Sequence, residues 1–462
     1  MLKTKWRFLA VSFLGALLVG WLPGCTALPA LPDGDGDGIP DLIDPCPTNP
    51  DPTCVPSSPP SEAYDCDNPP AVAGKFVPVS RPIAGRYIVV LRPQDGRALG
   101  LEKVRDLAEA FGVSDLQAFN PKVLSGFSAQ ISDLKTVARL VLDERVRYVQ
   151  QDGAVSIPRT IKAAAASIPW NLDRSDQRDL PLDSKYEPAQ DGDGVAIYDL
   201  DTGCPSTDLT TCRQDHPDFG SRLQSDCFST IVFQGCYDAH GHGTHTMGTA
   251  GGSKFGIAKN VKLYGVRFLD ANGSGSDSDG IKALQWIVNH NPGEGVRKVN
   301  TNSWGGPPAP ALDEAVCNAI KAGVVVIAAA GNSSEDSRNG SPGRIKQVIT
   351  VGAADKGDAF AYFSSFGPGV DLTAGGVDVE SDTPSGGSAT MSGTSMATPA
   401  VAGAAALYLQ RHPAATPAEV EAGLVAEASA GKLKSLPAET PNLLLWVPPQ
   451  ATGGATPPKT HP

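Results

Sequence analysis

A serine, a histidine, an aspartate and an asparagine stand beside glycines in four separate segments of this chain. Ser395 precedes a run of small residues, 396–406, that predicts a buried helix. At the start of such a helix, free backbone N–H groups and the helix dipole stabilise a developing oxyanion. A serine hydroxyl is a poor nucleophile at neutral pH and needs a base, which the imidazole of His242 supplies. Asp201 is suited to orient that imidazole, and Asn332 offers an amide donor, so the set predicts nucleophilic catalysis by serine.

The apolar pattern predicts the elements that must position these side chains. Residues 195–200 and 324–330 are apolar runs typical of buried parallel strands, and Asp201 and Asn332 stand at their ends. Open α/β sheets carry their sites at this edge of the sheet. We therefore predict an α/β domain built on a parallel sheet, with the functional side chains at its carboxyl edge.

These segments resemble the motifs of the subtilisin family of serine proteases, in particular its proteinase K branch. The resemblance lies in four motifs in the family's order: Asp201-Thr202-Gly203, His242-Gly243-Thr244-His245, Ala329-Ala330-Gly331-Asn332 and Gly393-Thr394-Ser395-Met396-Ala397. It covers about Ser167 to Trp446 and implies a subtilisin-like parallel sheet sandwiched by helices. It further implies a monomeric serine endopeptidase that hydrolyses protein or peptide substrates with an Asp-His-Ser triad. The Asn332 side chain and the Ser395 backbone N–H would then bind the oxyanion.

The resemblance also indicates where substrate binds. The backbone of six residues is expected to line the pocket: Ser303, Trp304, Gly305, Ala329, Ala330 and Gly331. Trp304 departs from the family pattern, in which a leucine often stands, and we expect its indole to narrow or reshape a subsite upstream of the scissile bond. No charged residue is expected at the base of the pocket, so we predict a preference for apolar or aromatic residues before the cleaved bond.

Neighbouring residues offer alternatives to the predicted base and acid. In the family pattern the catalytic imidazole is the first of His-Gly-Thr-His, which favours His242 over the loop residue His240 and over His245, a structural hydrogen-bonding residue. Asp199 lies on the same strand face as Asp201, but the Thr-Gly pair of the motif follows Asp201. A two-histidine metal site is a further alternative, although the segment lacks the helical Glu of a metalloprotease signature.

The region before this domain predicts a small α+β unit. The predicted elements are strands at 86–91, 126–131 and 148–157 and helices at 101–111 and 134–142. Residues 85–90 and 126–129 resemble the ferredoxin-like propeptide and inhibitor domain of subtilisins. That resemblance implies a folding chaperone whose C-terminal tail inhibits the active site as a product does; an independent ligand-binding module is the alternative. We expect self-cleavage in the alanine-rich segment from Thr160 to Ile168.

The N-terminus predicts export. Basic residues precede an apolar run at 8–22, which is too short and wrongly flanked for a transmembrane helix and is typical of a secretory signal. Residues 22–25 (Leu-Pro-Gly-Cys) resemble a bacterial lipoprotein cleavage box, in which Cys25 becomes lipidated and tethers the protein to an envelope membrane. Secretion without a lipid anchor is the alternative.

Carboxylates at alternate positions predict a calcium-binding segment after the signal. These residues are Asp33, Asp35, Asp37, Asp41 and Asp44. The segment resembles a thrombospondin type 3 repeat more than an EF-hand because no helix is predicted on either side; a solvated acidic linker is the alternative. The resemblance to proteinase K also implies a structural Ca²⁺ at Asp371, and no organic cofactor is implied.

Nine cysteines in an exported chain predict disulfides. Local pairing within three short segments is favoured, although other connectivities stay open: Cys204 with Cys212, Cys227 with Cys236, and Cys46 with Cys54. Cys66 is left unassigned. Cys317 is expected to be a buried apolar residue.

Composition agrees with a folded chain that buries a large core and a smaller one. The 462 residues are 41% hydrophobic and 19% charged, and the formal net charge of -12 argues against nucleic acid as a partner. The predicted division is a signal peptide at 1–24, an acidic and proline-rich linker at 25–74, a propeptide domain at 75–160, a catalytic domain at 161–447 and a disordered tail at 448–462. The alternative to an enzyme is a calcium-binding surface lipoprotein that uses a protease fold only for binding.

Overall fold

A computed structural model describes residues 42–43, 63–72, 74–94, 98–157, 168–207, 209–231 and 235–450. The predicted signal, Cys25, the acidic repeat at Asp33 to Asp44, the Cys46–Cys54 pair and the tail after 450 lie outside these residues. So does the predicted cleavage segment, apart from Ile168. Among the described helices, none combines the length and the apolar character needed to cross a membrane.

The N-terminal domain is a sheet covered by two helices. Its elements are β1 Phe76–Val77, β2 Pro82–Leu91, α1 Leu101–Ala110, β3 Leu116–Ala118, β4 Gly126–Gln130, α2 Leu134–Leu142 and β5 Val146–Ser156. Its strands pair antiparallel except for β1, which pairs parallel with β5. The strand order is β1-β5-β2-β4-β3, so β2 to β5 with their helices form the β-α-β-β-α-β arrangement of ferredoxin-like folds. Both helices pack against one face of the sheet. The sequence pattern placed α2 correctly but missed the two short strands β1 and β3.

The larger domain carries the remaining elements. They are α3 Trp170–Ser175, β6 Val195–Asp201, β7 Phe228–Ser229, α4 His242–Gly251, β8 Lys262–Arg267, β9 Ser274–Ser276, α5 Asp277–Asn289, β10 Arg297–Asn302, α6 Pro310–Lys321, β11 Val325–Ala329, β12 Ile349–Ala354, β13 Leu372–Gly375, β14 Val379–Asp382, β15 Ser388–Met391, α7 Thr394–Arg411, α8 Pro417–Glu427, β16 Ser429–Ala430 and β17 Leu443–Leu444. Single 3₁₀ turns span Gly220–Arg222 and Ser337–Asn339.

A nine-stranded sheet in the order β16-β17-β13-β12-β11-β10-β6-β8-β7 organises this domain. Its strands from β17 to β7 pair in parallel, and only β16 joins antiparallel. Helices cover both faces, so every residue of the central strand β6 is buried. Alternate β6 side chains enter different cores: Ile197 packs with α4 and α7, whereas Ala196 and Tyr198 pack with α5 and α6. The predicted helix-sheet-helix sandwich is therefore observed.

Helix α7 runs through the centre of the domain, and its composition explains how. Every residue from Thr394 to Leu407 is buried. A Cβ added at Gly403 would lie 2.7 Å from the Ala250 carbonyl oxygen of α4, which real Cβ contacts do not tolerate. The small-residue run thus permits close packing of α7 on α4.

Three disulfides connect described residues. Cys204 pairs with Cys212 and Cys227 with Cys236, as local pairing predicted. The third joins Cys66 to Cys317, which are 251 positions apart. The expectation that Cys317 is only a buried apolar residue is therefore wrong, because the fold brings α6 against a segment far upstream.

Candidate active site

The predicted acid and base meet at the carboxyl edge of the central sheet. Asp201 is the last residue of β6, and His242 is the first residue of α4, after Gly241 in the left-handed region at φ 91°. The His242 Nδ1–H donates to Asp201 Oδ1 at 2.7 Å, and neither side chain is exposed. The Thr202 N–H donates to the same carboxylate oxygen at 2.7 Å. This arrangement fixes the tautomer that leaves Nε2 free to accept a proton.

A buried carboxylate that the sequence reasoning missed holds the start of α4. Asp238 is 1% exposed, and its Oδ2 accepts hydrogen bonds from the Thr244 N–H at 2.8 Å and the Thr244 hydroxyl at 2.6 Å. Its Oδ1 accepts from the Thr202 hydroxyl at 2.8 Å and the Gly241 N–H at 2.7 Å. Asp238 therefore connects Thr202, the residue after the predicted acid, to the helix that begins with the predicted base. The sequence signal for this role was the position of Asp238 shortly before the helix that begins with His242.

The predicted nucleophile, Ser395, stands at the head of α7, where the sequence placed it. Ser395 is the second helical residue and is fully buried. Its hydroxyl donates to the Ser303 carbonyl oxygen at 2.9 Å, while among the described residues His242 Nε2 has no hydrogen-bond partner. The structure thus brings the serine to the same sheet edge but directs its hydroxyl to the substrate-binding segment. Such a departure is common before substrate tightens the site.

The Asn332 side chain presents an amide N–H donor, and hydrogen bonds to its carbonyl oxygen fix the position of that donor. It follows Gly331, which adopts φ 108° after β11. Its Oδ1 accepts from the Thr394 N–H at 2.9 Å and the Thr394 hydroxyl at 2.7 Å. The Nδ2 is buried with no partner among the described residues, and a Cβ at Gly393 would lie 3.0 Å from it. An unpaired amide held beside the nucleophile's backbone is suited to receive an oxyanion.

Asp199 and His245, two alternatives to the predicted acid and base, form hydrogen bonds with other groups. Asp199 accepts from the Thr246 hydroxyl at 3.0 Å, and its complete burial raises the pKa of that carboxyl well above its usual value. His245 Nε2 lies 3.1 Å from the carbonyls of Val379 and Ala389, to which it donates, and burial lowers its pKa to about 3. His245 is therefore neutral near pH 7, and both side chains serve packing.

A segment of the N-terminal domain lies along the predicted substrate-binding backbone. The end of β5 pairs antiparallel with β9, with Val155 opposite Gly275. On its other side the Ser156 N–H donates to the Gly305 carbonyl at 3.0 Å, and the Gly305 N–H donates back at 3.2 Å. The Ile157 N–H then donates to the Gly273 carbonyl at 2.9 Å. The chain is thus held as the middle strand of three, leading into the active-site cleft.

Most of the predicted pocket residues line one cavity. Its volume is about 690 Å³, and its walls include Trp304, Gly305, Ala329, Ala330, Gly331 and Asn332. The indole of Trp304 is 1% exposed and packs edge-on against Phe268, with ring centroids 4.7 Å apart. Val155 belongs to the same apolar cluster. The effect of Trp304 on an upstream subsite stays a prediction.

The N-terminal domain also caps two helices of the larger domain. The Asp152 carboxylate accepts from the Ser278 N–H at 3.0 Å in the first turn of α5, and Gln150 Oε1 accepts from the Ala311 N–H at 3.0 Å in the first turn of α6. Arg86 lies 3.0 Å from Asp152 in an ion pair. These contacts satisfy helix N–H groups that would otherwise face solvent or an apolar surface.

Of the predicted calcium ligands, the structure describes Asp371. Its Oδ2 accepts from the Thr350 N–H at 2.7 Å, and burial raises the pKa of this carboxyl to about 8. A bound cation would offset that desolvation, so the chemistry of the group fits Ca²⁺. Cys204, Cys212 and Cys227 also cluster, but all three are in disulfides and offer no thiolate to a metal.

Comparisons with known proteins agree with this geometry. The model of the subtilase family matches residues 192–443. The alkaline serine exoprotease A of Vibrio alginolyticus is 43% identical over 312 residues, which cover 67% of this chain but only 56% of that relative. The extracellular serine proteinase of Thermus sp. (strain Rt41A) is 40% identical over 356 residues, covering 76% of this chain and 80% of the relative. The crystal structure of a cold-adapted subtilisin-like serine proteinase, 42% identical, matches with a TM-score of 0.56 over 61% of this chain and 99% of its own.

Proposed function

Because this chain belongs to the subtilase family, we propose that it is an exported serine endopeptidase made as a self-processing zymogen. The observation that carries the proposal is the buried Asp201–His242 pair at the sheet edge where Ser395 lies in the first turn of α7. The unpaired amide of Asn332 supplies the donor that acyl transfer requires. Protein and peptide substrates are the expected partners of such a site.

Each group is proposed to carry out one step. His242 Nε2 takes the proton of the Ser395 hydroxyl as that oxygen attacks the peptide carbonyl, and it returns the proton to the leaving amine. Asp201 holds the imidazole and stabilises its charged form through the 2.7 Å hydrogen bond. Asn332 Nδ2 and the Ser395 N–H stabilise the oxyanion. Water then hydrolyses the acyl-enzyme by the same proton path.

The N-terminal domain is proposed to be the inhibitor of this site. Its residues Ala154 to Ile157 occupy the cleft as an added strand, which is how an extended peptide substrate would bind. Ser156 is paired on both sides, so the strand is held up to Ile157, the last residue described before the predicted cleavage segment. Cleavage within Thr160 to Ile168 would separate this inhibitor from the catalytic domain.

Three further properties complete the proposal. Structural Ca²⁺ is assigned to Asp371, where burial without a cation disfavours the charged carboxylate, and to the acidic segment from Asp33 to Asp44. Export is supported by the signal-like N-terminus and by the Thermus relative's name, which calls it extracellular. Attachment through a lipidated Cys25 and a monomeric state are proposed from the sequence resemblances.

Self-processing provides the direct test. The full chain is expressed with calcium beside Ser395→Ala and beside Ser385→Ala, an exposed serine outside the site that serves as the matched control. Intact mass and N-terminal sequencing should show cleavage within 160–168 in the parent and in Ser385→Ala but not in Ser395→Ala. Casein hydrolysis should follow the same pattern. If the parent stays uncut and inert toward casein and apolar peptide esters, the enzyme assignment is wrong and the binding-protein alternative is favoured.

A further inference from the structure

A short segment that precedes the N-terminal domain belongs structurally to the catalytic domain. Tyr64 forms a parallel bridge with Ile345: its N–H donates to the Arg344 carbonyl at 3.0 Å, and its carbonyl accepts from the Lys346 N–H at 2.9 Å. The Tyr64 side chain is 5% exposed and lies in the apolar core that contains α5 and α6. This segment is thus seated like an extra strand on the catalytic domain.

Polar contacts of the two residues that follow Tyr64 strengthen this attachment. Asp65 accepts from Gln347 Nε2 at 2.9 Å and forms an ion pair with Lys346 at 3.0 Å. The Cys66 N–H donates to the Gln347 side-chain oxygen at 2.9 Å, and the Cys66 carbonyl accepts from Lys321 Nζ at 2.8 Å. The partners come from α6 and from the segment before β12, so every one of them lies in the catalytic domain.

A disulfide then attaches this segment covalently to the catalytic domain. Cys66 is bonded to Cys317 of α6, and both are almost fully buried. In the sequence, Cys66 stands before the N-terminal domain, and Cys317 stands after the predicted cleavage segment at 160–168. Hydrolysis of one peptide bond in that segment consumes one water and separates the chain into two, but it leaves the sulfur–sulfur bond intact.

We propose that the processed enzyme is a two-chain molecule in which the N-terminal segment through Cys66 stays attached to the catalytic domain. The proposal rests on the self-cleavage proposed above. The first cut does not release the inhibitor domain, because the disulfide keeps it tethered close to the cleft. A tether of this length holds the effective concentration of the domain in the millimolar range, so it rebinds after each dissociation.

Release of the inhibitor domain therefore requires a second cut between Cys66 and β1. The residues there are suited to it, since Asp67, Asn68, Pro69, Pro70, Ala71 and Gly74 are all exposed. After this cut, the piece that ends near these residues remains on the catalytic domain through Cys66. Whatever attachment the N-terminus carries, including a lipid at Cys25, would thus be retained by the active enzyme after its inhibitor is gone.

The test compares the processed parent with Cys66→Ser, after free thiols are alkylated. We expect mass spectrometry without reductant to find the catalytic chain joined to a peptide that contains Cys66, and reductant to separate them. Cys66→Ser should release the N-terminal piece without reductant and should reach full activity sooner. The double variant Cys227→Ser with Cys236→Ser is the matched control, because that bridge lies within the catalytic chain and its removal should free no fragment.

A second preparation makes the result independent of self-cleavage. In Ser395→Ala, a recognition site for a sequence-specific protease replaces residues 160–166, and the cut is made by that added protease. Retention of the N-terminal chain until reductant is added supports the proposal here too, even if the parent never cleaves itself and the proposed activity fails. Release of the N-terminal chain without reductant, or alkylation of Cys66 and Cys317 as free thiols, overturns it.

Discussion

Asp238 offers the sharpest test of how this site is held together, because it touches neither substrate nor the reacting atoms. The Asp238→Ala change removes an acceptor from the Thr202 hydroxyl, the Gly241 N–H and both the N–H and hydroxyl of Thr244. The hydroxyls can rotate toward other acceptors, whereas the buried Thr244 N–H cannot. A hydrogen bond to a charged group contributes about 1.5–3 kcal/mol, and a buried donor left unpaired costs about 1–3 kcal/mol. We therefore expect a loss of about 3 kcal/mol in stability.

The change should also reduce catalysis, because Asp238 connects the segment of Asp201 to the first turn of α4, where His242 lies. A shift of about 1 Å between acid and base is enough for a loss of roughly 10²-fold in kcat. KM should change little, since the substrate-binding backbone of Gly305 and Ala329 is on other elements.

The assays are thermal unfolding of Asp238→Ala in the Ser395→Ala background, which prevents self-digestion, and kinetics of the same change in the active enzyme. An apparent Tm lower by roughly 6 °C is expected for this loss of stability. Asp226→Ala is the control, because its side chain is 58% exposed and such surface changes stay within about 0.5 kcal/mol. If Asp238→Ala keeps the kcat and Tm of this control, the proposed positioning role is wrong.

Three further predictions address the oxyanion donor, the inhibitor and the metal. Asn332→Ala should lower kcat by about 10²–10³ with little change in KM, the loss measured for the corresponding amide of subtilisin, as steady-state kinetics will show; an unchanged kcat contradicts the role of Nδ2. Burial in the domain interface raises the pKa values of Asp152 and Asp277. Their protonation therefore favours binding of the N-terminal domain to the catalytic domain. Inhibition should be fully present below the ordinary carboxyl pKa of about 4 and should weaken as pH rises through the raised pKa values. Activity released from cleaved Cys66→Ser at pH 5 and pH 9 measures this, and Asp277→Asn should flatten the dependence. Chelation of calcium should lower the apparent Tm, because calcium at 100 times its Kd stabilises the folded protein by about 2.7 kcal/mol. The Tm of Asp371→Asn should fall less on addition of chelator. Equal falls in Tm would show that Asp371 does not bind the metal.

Local signals explain which features the amino-acid pattern predicted correctly. Strand β6 and helix α7 are encoded by continuous runs, one apolar and one of small residues, and the chemistry stands where each run begins or ends. Close approach requires the glycine after His242: a Cβ at Gly243 would lie 2.5 Å from the Gly203 carbonyl oxygen. The elements of the N-terminal domain were predictable for a similar reason, since α2 has a strongly amphipathic pattern and an Asp133 cap.

The features that escaped prediction are those that depend on distant partners. Trp304 was expected to shape a subsite, but which neighbours cover its indole depends on the packing of α5 and Phe268. The direction of the Ser395 hydroxyl depends on the Ser303 carbonyl, 92 residues away. The role of Asp238 depends on the turn that brings it back over Thr202.

The amino-acid sequence alone therefore predicted the sheet, the four side chains proposed for the chemistry and the presence of a domain that precedes them. It could do so because hydrophobic period, glycine placement and residue chemistry are properties of short segments. Only the tertiary structure decided the bond between Cys66 and Cys317, the pairing register of the strand in the cleft and the network around Asp238. These features arise when segments separated by many residues pack together. The residue pattern within either segment does not indicate which distant segment it will contact.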